Sequence, residues 1–235
     1  MKLSIVITSY NEKGAIEELI RDSYLNAKKF FKNYEIIVLD DCSTDGSREL
    51  LKQIKNKYKN IKLIFHKKNT GYGGVLLDLY AAAKGDYILN LPGDNQLPAS
   101  NLGRFLKYKD DYDVIIGYRK NRKDSTLRKI QSFLYNLILS SIIRKRLHDV
   151  NSSKLIKRDV IKNIKLETKS SYAEPSAEIC LKAFKKGYKI KEVIVEHRPR
   201  TYGKNMAGSK TSIFETPFII AKDIINLWRV VRRYK

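Results

Sequence analysis

The feature that most restricts the fold is an alternation along the first half of the chain. Short apolar runs rich in β-branched residues, at 3–8, 35–40, 61–66, 87–91 and 113–117, are each closed by a polar or Gly/Pro turn. Between them lie segments with helical spacing: Ala15, Leu19 and Ile20 leading to Phe30; Leu50, Leu51 and Ile54; Val75, Leu76, Leu79, Tyr80 and Ala83. Strand alternating with helix predicts an α/β domain with a mostly parallel, Rossmann-like sheet and right-handed crossovers.

After Gly117 the pattern changes. An apolar helix with basic ends is predicted over 127–143, a loop leading into a strand over 149–155, a helix over 177–186 and a strand over 189–196. The run 198–210, with Gly203, Gly208 and several basic residues, reads as a mobile basic loop. Thr216 followed by Pro217 starts a final helix, with Phe218, Ala221, Ile225 and Trp228 on one apolar stripe. Such a helix either packs on the domain or lies in a membrane interface.

Charge divides the chain in the same place. Residues 1–118 carry 18 Lys and Arg against 15 Asp and Glu, a net +3, whereas residues 119–235 carry 29 against 10, a net +19. The second half is therefore built to face something anionic, and nucleic acid or an anionic membrane surface both fit. No nucleic-acid motif accompanies the charge, and the turns of the first half are acidic, so a nucleic-acid partner is not expected. Cys42 and Cys180, far apart and without CxxC spacing, indicate neither a disulfide framework nor zinc and point to a reducing, cytosolic setting. The start of the chain does not read as a signal peptide, and no stretch reaches the ~18 apolar residues of a membrane span.

Chemistry concentrates where the strands end. Thr8 to Glu12, Asp40 to Gly46, Asn69 to Gly74 and Gly93 to Pro98 follow successive strands, and the carboxyl ends of strands in an open α/β sheet are where ligands collect. Singly each is ordinary turn chemistry, and Ser43 and Asp45 read as capping residues. Asp94 is isolated: no other acid occurs between Asp86 and Asp110.

The order and spacing of these pieces, TSYNE, VLDDCSTDGS, NTGYGG and GDYILNLPGDNQLP, then GYRKNRKDS, LHDVNSSKLIKRDVI and EVIVEHRPRTYG, resemble family-2 glycosyltransferases of the GT-A fold. The match covers nearly the whole chain. It is closest to the branch resembling dolichol-phosphate mannose synthases and bacterial polyprenyl-phosphate glycosyltransferases. The resemblance implies a catalytic domain over 1–212, with a nucleotide-sugar half at 1–118 and an acceptor half at 119–212, followed by an amphipathic helix at 213–235.

It also implies roles. Thr8, Tyr10, Glu12, Asp40, Asp41, Gly71 and Asp94 fall at nucleotide-sugar positions, and Asp94 and Gln96 at those that hold a divalent cation, Mg2+ or Mn2+. Arg119, Arg128, Ser152, Arg198 and Arg200 fall near the acceptor phosphate, and Asp94, Asp149, Arg119 and Arg128 form the expected catalytic set. The departure is Pro92, where relatives carry the first acid of an Asp-x-Asp pair. Three readings stay open there: a cation held by Asp94, Gln96, waters and phosphates, a weakened metal dependence, or a nucleotide-sugar binder without turnover.

The implied activity is inverting transfer of a hexose from a UDP- or GDP-linked sugar to a polyprenyl or dolichyl phosphate. The implied place is the cytoplasmic membrane face, with peripheral attachment through 127–143 and the last helix or through a membrane-anchoring partner protein. The alternative acceptor is a sugar hydroxyl of a polysaccharide or glycolipid, with Asp149 as base.

Overall fold

A computed structural model of the chain describes residues 1–120, 126–168, 174–200, 202 and 215–234. Seven strands form one sheet in the order β3-β2-β1-β4-β6-β5-β7. They are β1 (Lys2–Ser9), β2 (Asn33–Asp40), β3 (Ile61–Phe65), β4 (Tyr87–Pro92), β5 (Val114–Tyr118), β6 (Lys154–Lys157) and β7 (Ile190–Ile194). The α-helices are α1 (Ile16–Phe30), α2 (Ser47–Lys57), α3 (Gly71–Ala82) and α4 (Leu102–Leu106) in the first half. In the second half they are α5 (Thr126–Ile143), α6 (Arg158–Asn163), α7 (Glu174–Lys185) and α8 (Glu215–Arg233).

The central strands are covered on both faces, which is why they read as continuous apolar runs. Leu3, Ile5 and Ile7 of β1 pack with Ile16, Leu19 and Ile20 of α1 on one side. Val6, with Ile37 and Leu39 of β2, packs with Leu76 and Leu79 of α3 and with Ile179 and Leu181 of α7 on the other. One polar residue inside β1 is Ser4, whose hydroxyl donates to Glu35 at 2.7 Å and accepts the Gly85 amide at 2.7 Å. A buried hydroxyl satisfied in both directions costs little.

β6 is the one element that departs from a parallel reading. It runs antiparallel to both β4 and β5, with Leu155 opposite Leu89 and Ile115. Its reversed direction delivers the turn before it, 149–153, to the edge where β1, β4 and β5 end. β7 is parallel to β5, so its exit emerges at that edge too. The exit is then strapped back over β4: Asn101 and Glu196 exchange hydrogen bonds at 3.0 and 2.9 Å, and the Arg198 amide donates to the Gln96 carbonyl at 2.8 Å. Arg198 and Arg200 are thus held by the body of the domain, contrary to the free basic loop expected; Lys204 lies outside the described residues.

The apolar stripe expected on the last helix is also revised. The face of α8 that packs on the domain carries Leu227 and Val231, with Ile220 and Ile224, whereas Ile225 and Trp228 of the expected stripe are exposed; the side chain of Phe218 lies outside the described residues. Among the described residues, no helix is long and apolar enough to cross a membrane.

Gly93 shows how closely the edge is packed: a methyl added to it would lie on the Thr8 carbonyl oxygen, a backbone atom of the neighbouring strand. Gly93→Ala is expected to lower stability by about 1–3 kcal/mol in denaturant unfolding. Gly103→Ala, whose methyl meets only the exposed Phe30 ring, is expected to be neutral or slightly stabilising.

Candidate active site

The turn after β1 is sewn to the turn after β2. Asn11, in the left-handed region at φ 55°, donates its amide to the Ser43 hydroxyl at 2.9 Å and accepts the Thr44 amide at 2.8 Å. Asp45 accepts the Lys13 amide at 3.0 Å and the Ser47 amide at 2.9 Å. Ser43 and Asp45 therefore hold backbone, as capping chemistry predicts. The stitching fixes the carboxylate between them. Asp40 is fully buried, its Oδ2 accepting Arg48 Nε at 2.6 Å and the Ser43 amide at 3.2 Å, while no donor among the described residues reaches Oδ1. A buried acceptor without a partner is costly and suits a ligand N–H or O–H.

Asp41, beside it, is otherwise engaged. Its oxygens accept the amides of Thr70 at 2.9 Å and Gly71 at 2.8 Å, and one lies 2.7 Å from His66 Nδ1. It shapes the start of α3, where Gly71 takes φ 75°, a conformation that favours glycine. The other His66 nitrogen lies 3.1 Å from Asp78.

The sequence leaves Asp94 alone, but the fold does not. Arg200, 106 residues further on, reaches back with Nη1 at 3.3 Å from Asp94 Oδ2 and Nη2 at 2.6 Å from Glu12 Oε1. Its Nε donates to the Tyr202 carbonyl at 2.8 Å, and the Tyr202 ring lies on Gly14. Glu12 is buried, and that burial, helped by Asp94 and opposed by the guanidinium, pushes its carboxyl up to about 7. Gln96 follows in the same turn, its amide donating to Asp94 Oδ1 at 3.1 Å. Thr8 and Tyr10 flank this group on the β1 turn, half-buried.

A second group lies beyond β4. Arg119 and Asp149 form a two-pronged pair, Nε to Oδ2 and Nη2 to Oδ1, both at 2.7 Å. Asp149 is buried, and its amide donates to Glu192 at 3.1 Å. Tyr72 connects the two groups: burial pushes its phenol up to about 12, with the Asp94 charge raising it and Arg119 lowering it. The hydroxyl therefore remains protonated as a donor across the neutral range.

From Arg119 a groove of about 830 Å³ runs along α5, lined by Phe133, Leu137 and Leu147 and by Lys129, Arg144 and Arg146. Sequence reasoning missed Asn136, a polar residue in an apolar helix, whose Oδ1 accepts the Val150 amide at 2.9 Å and ties the groove to the 149–153 turn. Ser152 is buried in that turn, and its hydroxyl has no hydrogen-bond partner among the described residues. Arg198 stays on the outer side with Glu196 and Glu18, at 3.0 and 3.6 Å. Arg128 lies in α5, its side chain outside what is described.

Among the described residues no cluster of three or more His, Cys, Asp or Glu forms a ready metal cage. The oxygen set at the end of β4, one carboxylate and one amide, nevertheless suits Mg2+ or Mn2+, which binds through one or two carboxylates and completes its shell with water and substrate phosphates. Asp94 already tolerates a cationic group against its Oδ2, in a side chain left 15% exposed.

The layered α/β sheet thus carries acids at the strand ends and, beside them, a groove lined by basic and apolar side chains. Residues 4–165 match the model of glycosyl transferase family 2, and the chain belongs to that family. It is 29% identical over 206 residues to the undecaprenyl-phosphate 4-deoxy-4-formamido-L-arabinose transferase of Salmonella choleraesuis, a match covering 86% of this chain and 61% of that protein. The chain thus spans less than two thirds of that relative. Among solved structures, glucosyl-3-phosphoglycerate synthase from Mycobacterium tuberculosis, in complex with Mn2+, UDP and phosphoglyceric acid, superposes with a TM-score of 0.72 at 14% identity, covering 100% of this chain and 79% of that one. Staphylococcus aureus TarS in complex with UDP-GlcNAc gives 0.61 at 21% identity, covering 96% and 67%. The fold is theirs.

A pH dependence follows from Glu12. Its folded-state value of about 7 lies above the ordinary 4.5, so the folded protein holds this proton more tightly. The associated stability is fully present below about pH 4.5 and is lost as pH rises to about 7, a change on the order of 3 kcal/mol. Glu12→Gln should flatten unfolding stability over that window, measured by urea denaturation at stepped pH.

Proposed function

We propose that the protein is an inverting glycosyltransferase that moves a hexose from a UDP- or GDP-linked sugar to a polyprenyl phosphate at the cytoplasmic membrane face. The observation that carries this reading is the groove, lined by apolar side chains of α5 and by the Arg119 guanidinium. Relatives named for transfer to undecaprenyl phosphate support it. In this reading residues 1–118 form the donor half, 119–212 the acceptor half and 213–235 a surface helix.

Asp40, through its unpartnered Oδ1, accepts from the base or ribose of the donor, and Arg48 fixes its orientation. Thr8, Tyr10, Glu12 and Gly71 border the nucleotide, with Asp41 holding the Gly71 turn in shape. Asp94 and Gln96 are the residues that would hold a divalent cation, whose chemistry is to offset charge on the departing diphosphate. Arg200, already between Glu12 and Asp94, exchanges carboxylate for phosphate contacts when the donor enters.

Arg119, steered by Asp149, orients the acceptor phosphate, with Arg128 and Ser152 as further candidates around it; Arg198, paired with Glu196 and Glu18, is set aside. A phosphate oxygen attacks the anomeric carbon as the bond from that carbon to the diphosphate oxygen breaks. The acceptor is already anionic, so no base is needed. Asp149, bound at both oxygens to Arg119, is poorly disposed to act as the base that a hydroxyl acceptor requires.

Membrane attachment fits the same reading. Ile130, Phe133, Leu134, Leu137 and Ile138 make an exposed apolar stripe on α5, and Ile225 and Trp228 are exposed on α8, which packs against α5. Lys129, Arg144, Lys222 and Arg229 are exposed on the same two helices and the turn between groove and sheet. Apolar side chains bordered by cations match an anionic bilayer.

Incubation with labelled nucleotide sugars, polyprenyl phosphate and Mg2+ or Mn2+ should yield a lipid-linked sugar; no such product with any donor would overturn the reading. Asp94→Asn is expected to lower kcat at least 100-fold, the scale of a lost electrostatic contact in a transition state. Trp228 is the only tryptophan of the chain, so its emission should shift to the blue with phosphatidylglycerol vesicles and not with phosphatidylcholine alone.

A further inference from the structure

Strand β6 opens on a lysine that the scheme above leaves without a role. Lys154 is fully buried, yet its ammonium makes no hydrogen bond to a carboxylate among the described residues. Nζ donates to the carbonyl oxygens of Val150 at 2.6 Å and Ser152 at 3.0 Å, and to the hydroxyl of Ser176 on α7. Three donors meet three neutral acceptors. Ser176 in turn donates to the Val150 carbonyl at 3.1 Å, and the Lys154 amide is bound by Asn90 of β4 at 2.8 Å.

A charge buried without a bonded counter-ion is expensive, so its position calls for a reason. Both carbonyls it holds belong to the 149–153 turn, whose first residue grips Arg119. The turn is pinned on its other sides by Asn136 at the Val150 amide and by Glu192 at the Asp149 amide. Lys154 supplies the inner pin. Its surroundings agree with that place: burial lowers its proton affinity, while Asp149 raises it and Arg119 lowers it, so the ammonium lies within electrostatic reach of the pair.

We infer that Lys154 is a positioning residue for the acceptor: by drawing the Val150 and Ser152 carbonyls inward it fixes Asp149, and through Asp149 the Arg119 guanidinium, at the inner end of the groove. The inference rests on the phosphate-acceptor reading of that groove. An apolar side chain at 154 would strand the Ser152 carbonyl and leave that of Val150 to Ser176 alone, which would loosen the turn. Ser176 is the accessory to the same pin.

The test compares wild type, Lys154→Met and Ser176→Ala by steady-state kinetics with a short polyprenyl phosphate, and by hydrogen–deuterium exchange over 144–157. Lys154→Met should raise the acceptor KM about fivefold to tenfold, the scale of one or two hydrogen bonds, and leave the donor KM within about twofold. Faster exchange should be confined to 147–153, and Ser176→Ala should move both readouts the same way by less. A general loss of fold would change donor and acceptor KM together. An acceptor KM unchanged in the folded variants, or equal rises for both substrates, overturns the inference. Where Lys154→Met does not fold, Ser176→Ala decides by the same criteria. Wild-type protein that transfers nothing to polyprenyl phosphate overturns the acceptor reading, and the acceptor role of Lys154 with it. Wild-type transfer beside unaffected variants overturns the role of Lys154 alone.

Discussion

The covering of β1, β2 and β4 on both faces is the constraint from which the rest follows. Buried strands leave almost no place for polar side chains along their length, and Ser4, satisfied in both directions, and Asn90, whose Oδ1 accepts the Lys154 amide, are what the interior admits. Ionisable chemistry is pushed to the strand ends, and in a parallel sheet those ends share an edge. Two reversals in the second half then matter more than their size. Antiparallel β6 brings the 149–153 turn to that edge, and the strap after β7 brings Arg200.

Four acids at the edge are met by arginines from three different elements: Asp40 by Arg48 of α2, Asp149 by Arg119 after β5, and both Glu12 and Asp94 by Arg200 after β7. The pairing is uneven, and the unevenness has a direction. Two carboxylates share one guanidinium at the donor pole, where burial drives Glu12 upward against the pull of Arg200. At the other pole Asp149 is matched by Arg119, with Glu192 beside it and Lys154 buried behind, and the groove lining supplies an excess of base. A field of this sense favours a cation with its diphosphate on one side and a phosphate monoester on the other.

Much of this was legible in the residues. The β-branched runs marked the strands because burial on both faces demands them, and the clustering of Asp, Asn, Ser and Gly after each run marked the edge. What was not legible depended on long-range geometry. The four residues of β6 carry no signal of direction. A lysine at the start of a strand reads as solvated, and only the inward carbonyls of the preceding turn explain why Lys154 is buried. On α8 the stripe of Ala221, Ile225 and Trp228 is a genuine periodicity, but a helix with two apolar stripes does not say which one packs; Leu227 and Val231 do.

Pro92 shows best how the two levels differ. Read along β4, it removes one of two acids and leaves Asp94 isolated. Read across the sheet, Pro92 pairs with Thr8, so the end of β4 lies beside the turn that carries Glu12. One guanidinium, whose two terminal nitrogens are close together by covalent geometry, touches both carboxylates. A pair of acids therefore exists at this edge although no pair exists in the strand. The second comes from β1, desolvated enough to hold its proton near neutrality, which makes the charge of the pair, unlike that of two exposed aspartates, depend on what lies against it.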